Sequence, residues 1–94
     1  MGADIYKGDI GIKIILDVGL DISAATITQI YYRKPGGDGG SWTAVIESGN
    51  TSISYTSLSG DFDEVGVWKL QAHVVTPSWT QNGEIANVNV RPSL

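Results

Sequence analysis

The segment Val67 to Val75, V-W-K-L-Q-A-H-V-V, constrains this chain more than any other. Trp68, Leu70, Ala72 and Val74 fall on one parity; Val67, Lys69, Gln71, His73 and Val75 fall on the other. Successive side chains of a strand point to opposite faces, so this alternation predicts a β-strand with one wholly apolar face. The strand follows an acidic turn, D-F-D-E-V at 61–65, and a lone Gly66.

The rest of the chain also reads as strand and turn. Over 12–18, Ile12, Ile14 and Leu16 alternate with Lys13 and Asp17, and Ile15 interrupts the outer face. Leu20 to Ser23 is a connection. Ala25 to Lys34 is a long strand, β-branched and aromatic, whose apolar phase slips between Ile27 and Ile30. That slip predicts a bulge or a change of packing environment. Pro35 stops the strand because it has no N–H, and the glycines of 36–40 turn the chain. Trp42 to Glu47 returns with Trp42, Ala44 and Ile46 on one face, and Ser48-Gly49-Asn50 is a tight turn. A short strand at 52–56 leads into a corner at 57–65, with room for a helical turn. After Val75 a polar loop at 76–82 holds Pro77 and Trp79. Asn82-Gly83 predicts a hairpin turn, followed by a last strand at 84–90. No ten-residue stretch carries a helical stripe. The expected fold is all-β: an immunoglobulin-like β-sandwich of about seven strands, since a strand entered through a corner such as that at Gly66 is typical of these sandwiches.

Ninety-four residues make a single domain over 1–94, with 1–11 expected to form a flexible N-terminal arm. The 41% apolar content suits a globular core and is too high for a disordered chain. Net charge is −4, and six Lys and Arg scattered along the sequence cannot build a phosphate-tracking patch, so nucleic acid is not an expected partner. There are no cysteines, so neither disulfides nor thiolate metal sites form, which fits folding in a reducing cytoplasm. The sequence has no apolar run long enough to span a membrane, and its start, with Asp4 and Asp9, is no secretion signal.

The residues that could carry chemistry are few. Asp61, Asp63 and Glu64 lie close enough to offer oxygens to Ca²⁺, but they lack the ordered spacing of a calcium loop, so a solvated corner is expected. His73 is the only histidine and sits on the polar parity of its strand; no second histidine or cysteine could complete a zinc site. No catalytic, metal or cofactor site is expected. Three residues have expected structural roles. Pro35 terminates a strand, Gly66 supplies a backbone conformation that a Cβ forbids, and Trp68 reaches back to backbone with its indole N–H. Four residues are candidates for partner binding. Ile5 and Tyr6 lie in the arm without an evident core role. Tyr32 is one of an adjacent pair, with Tyr31, whose members point to opposite faces. Trp79 sits in a polar loop, where it either stacks on a sugar or anchors an interface, or else folds back over the core.

The motifs K-G-D-I-G (7–11), L-D-I-S-A-A-T (20–26), R-K-P-G-G (33–37), Y-T-S-L-S-G-D-F-D-E-V-G-V-W-K-L-Q-A (55–72) and V-N-V (88–90) occur in one order. In this the chain resembles the small immunoglobulin-like domains of tailed-bacteriophage structural proteins. It is similar to the N-terminal domain of phage baseplate upper proteins over nearly its whole length. In those proteins a long receptor-binding or scaffold region follows; this sequence ends at Leu94, so it resembles the domain alone. The resemblance implies a non-enzymatic structural or accessory subunit, made in the host cytoplasm and located in the virion. It would dock on a larger virion protein of the tail, baseplate or capsid through loops, an edge strand or the arm, alone or as a homo-oligomer. The alternative is a carbohydrate-binding module that takes a surface glycan during host adsorption. An enzyme would need clustered catalytic groups, which the sequence does not offer.

Overall fold

A computed structural model of the chain describes residues 4–93. They form eight strands and no helix: β1 (Asp4–Tyr6), β2 (Lys13–Asp17), β3 (Ile27–Arg33), β4 (Gly39–Thr43), β5 (Val45–Ile46), β6 (Ser52–Thr56), β7 (Gly66–Val75) and β8 (Thr80–Arg91). Five of them make one sheet, in the order β1-β8-β7-β3-β4, and three make a second, β2-β6-β5. All pairings are antiparallel except β1 on β8, which is parallel.

The alternation in β7 sets the core. Trp68, Leu70, Ala72 and Val74 are buried, and Ile30, Trp42 and Val90 join them from the same sheet. Ile14 and Ile53 face them from the second sheet. Two buried loop residues fill the ends. Ile22, between β2 and β3, is anchored by its N–H to the Asn50 carbonyl. Phe62, at the centre of the corner before β7, wedges edge-on against Trp42 and Trp68. The return strand of the sequence reading divides in two. β4 pairs with β3, the chain steps at buried Ala44, and β5 pairs with β6, so one segment closes this side by passing from sheet to sheet.

Three expectations need correction. β3 has no bulge: its register with β7 runs unbroken from Ile27↔Val75 to Arg33↔Lys69, and Ile27 simply points outward. Asn82-Gly83 is not the hairpin turn. The chain reverses at 76–79, where the Thr76 hydroxyl accepts the N–H groups of Ser78 and Trp79, and the Thr76 N–H bonds the Trp79 carbonyl. β8 then runs through Asn82-Gly83, with a register shift opposite Gln71 to His73. The Gln71 amide donates to the Gly83 carbonyl there, giving the displaced backbone a partner. The corner at 57–65 holds bends and turns in place of a helical turn.

Candidate interaction surface

The corner before β7 is a structural unit. Gly66 has φ +133, and a Cβ built on it would lie 2.6 Å from the Pro35 ring, so both conformation and space require glycine. Trp68 is fully buried, and its indole N–H donates to the Glu64 carbonyl four residues upstream at 2.8 Å. Lys34 lies with its Nζ 5.6 Å from the centroid of the Trp68 ring and pairs with Asp63 at 2.9 Å. That pairing raises the Lys34 pKa and lowers that of Asp63. The three corner acids diverge. Asp61 accepts from the Tyr55 hydroxyl and the Leu58 N–H, Asp63 holds Lys34, and Glu64 accepts the Gly36 N–H. Burial, with help from Asp61, pushes the Tyr55 phenol up to about 12. Among the described residues no cluster of three acids or histidines has the arrangement of a metal site.

The partner-binding candidates scatter. Ile5 is buried at 3% exposure, because β1 lies on Asn89–Arg91 of β8 and turns Ile5 into the core; this corrects its assignment to a surface without a core role. The backbone that follows is tied down as well, by Lys7 N–H to Arg91 and Gly8 N–H to Phe62. Residues 1–3 of the expected arm lie outside the described residues. Tyr6 is exposed. Tyr32 is the inward member of its pair, stacked on Trp42 at 4.7 Å and lying over Gly40, so the outward tyrosine is Tyr31. Trp79 is half-buried and packs against the core.

A different surface assembles from residues that the sequence had scattered. On the outer face of the five-stranded sheet, Tyr31 stacks on His73 with ring centroids 4.6 Å apart. The His73 Nδ1 lies 2.6 Å from the Asn82 Oδ1, which fixes the ring. One row over, Arg33 and Lys69 are register partners. Tyr31, Arg33, Lys69, Gln71 and Ile85 line a shallow groove of about 180 Å³. Ile85 is 59% exposed. The outward positions of β3, β4 and β7, and those of β8 that are in register with β7, hold no carboxylate, although the chain has ten Asp and Glu; Glu84 falls in the register shift of β8. Like charges directly opposite on neighbouring strands destabilise a sheet. This face therefore holds a basic pair against the drift of an acidic protein. Sequence reading missed it because Arg33 and Lys69 lie far apart in the chain and become neighbours only through the β3–β7 register; the one local hint was that both sit on the polar parity of their strands. No protein-family model matches the chain, and no curated protein matches it.

Proposed function

We propose that this domain is a non-enzymatic docking subunit of a tailed-bacteriophage particle and that the outer face of the five-stranded sheet is its docking surface. The observation that carries the docking role is the in-register Arg33–Lys69 pair, with no carboxylate among the outward positions of β3 and β7 that flank it. A like-charged pair weakens the isolated sheet, and an acidic surface on a larger virion protein would neutralise it. The Tyr31–His73 stack and Ile85 add rigid aromatic and aliphatic contact area beside that charge.

The phage assignment rests on the motif resemblance given above. The immunoglobulin-like reading is supported by strand order. β8-β7-β3-β4 follows the G-F-C-C′ order of variable-type domains and β2-β6-β5 follows B-E-D. Trp68, near the start of the F-equivalent strand with its N–H on upstream backbone, stands where such domains place a corner tyrosine. The non-enzymatic reading is supported by His73, whose ring is held by an aromatic ring, Tyr31, and an amide, Asn82.

Quantifying the chain in purified particles of the parent phage, with immunogold labelling, tests the reading. Stoichiometric presence with label on the tail, baseplate or capsid is expected. Its absence from particles that infected cells produce alongside the free protein would refute it. Glycan binding is the second reading. The exposed Tyr31 ring beside Gln29 and Gln71 favours it, since an aromatic face flanked by amides can hold a sugar. It predicts saturable binding of host surface polysaccharide that Tyr31→Ala removes.

A further inference from the structure

Of the asparagines in the chain, Asn50, Asn82, Asn87 and Asn89, only Asn82 precedes a glycine. A glycine leaves its own backbone nitrogen free to approach the side-chain amide before it, because it has no Cβ to obstruct the approach. The fold does not lock this pair into a regular ladder. The β7–β8 register passes from Gln71↔Ile85 to His73↔Asn82, so Gly83 and Glu84 stand together opposite Ala72. Asn82 is exposed, and both residues of the pair line an open trough of about 510 Å³. Water therefore reaches them. The Asn82 amide also has a particular neighbour. Its Oδ1 lies 2.6 Å from the His73 Nδ1, and His73 is held in turn by its stack on Tyr31. With the proton on Nδ1, the imidazole donates to the amide oxygen, the atom on which negative charge builds when the amide carbon is attacked.

We propose that Asn82 is a self-modification site, where the Gly83 backbone nitrogen displaces ammonia from the side-chain amide and His73 donates to the developing oxyanion. The Gly83 nitrogen gives its proton to solvent and forms a bond to Asn82 Cγ, and charge collects on Oδ1. The Cγ–Nδ2 bond then breaks, and the leaving nitrogen takes up a proton and departs as ammonia. A five-membered succinimide remains. Water adds to one of its two carbonyl carbons and opens the ring, giving aspartate or isoaspartate at position 82. No oxidant or reductant takes part. Either product adds a carboxylate to the sheet face that carries Arg33 and Lys69. The chemistry itself does not depend on the docking role of that face.

The test is peptide mapping by mass spectrometry of the chain aged at neutral pH, folded and in denaturant, with isoaspartate counted by enzymatic methylation. Conversion of amide to acid is expected at Asn82 ahead of Asn50, Asn87 and Asn89, and faster in the folded chain than in the denatured one. His73→Phe keeps a ring against Tyr31 and removes the donor, so conversion in the folded chain should slow by about tenfold or more. Gly83→Ala should fold, since a Cβ there meets nothing nearer than the Ala72 Cβ at 3.5 Å, and its conversion should also slow. Faster conversion in denaturant, conversion led by another asparagine, or an unchanged rate in folded His73→Phe or Gly83→Ala would overturn the inference. If His73→Phe does not fold, the ratio of folded to denatured rates in the unaltered chain decides.

Discussion

At the scale of single residues, the corner before β7 joins backbone conformation to packing. Gly66→Ala must adopt a left-sided φ against the Pro35 ring, and should lower stability by more than about 1 kcal/mol in a denaturant titration. Trp68→Phe removes the bond to the Glu64 carbonyl and part of the aromatic packing, a loss of about 1–3 kcal/mol. Tyr55 gives a pH signature. Its folded pKa of about 12 lies above the ordinary value of 10.0, chiefly through burial and then through Asp61. As pH rises through this interval the unfolded chain loses the phenolic proton first, so it binds fewer protons and stability falls. The contribution is complete below pH 10 and is lost by about 12, and Tyr55→Phe should flatten that fall in melting temperature. The parts played by Gly66 and Trp68 can be read in the sequence, because a lone glycine before a strict alternation and an indole at its start leave few options. The choice between Tyr31 and Tyr32 cannot. Ile27 and Ile30 lie on opposite parities of β3, and only the unbroken register with β7 shows that Ile27 faces solvent.

At the scale of elements, strand identity follows from alternation, but strand ends and pairings do not. Asn82-Gly83 favours a hairpin locally; the tighter turn at 76–79, held by the Thr76 hydroxyl, reverses the chain earlier and leaves the dipeptide to form an irregularity inside β8. The β4–β5 step at Ala44 is invisible in a segment whose apolar parity continues unbroken across it. β1 is hidden for another reason: three residues are too few to show a period, and their place depends on β8, some eighty residues on. Its contribution is testable. Ile5→Ala should destabilise the domain by about 2–4 kcal/mol through a core cavity, read as a shift in denaturation midpoint, while the outer sheet face stays intact.

At the scale of the whole molecule, net charge and local charge point in different directions. A net charge of −4 predicts an acidic surface, yet the outer face of the five-stranded sheet opposes Arg33 to Lys69, with no carboxylate on the outward positions of β3 and β7. The Arg33 guanidinium donates to the Gly37 carbonyl at 3.0 Å, and an acid in place of Lys69 would add an attraction across the strand pair that the present residues lack. Lys69→Glu separates stability from docking. It converts the repulsive pair into an attractive one without touching the core, since Lys69 is exposed. The decisive measurement compares this variant with the unaltered chain in the same preparation, by thermal stability of the free domain and by occupancy in purified particles. Docking through this face predicts a domain more stable by about 0.2–1 kcal/mol and particles depleted of it. Full occupancy of the particles by the stabilised variant would contradict it.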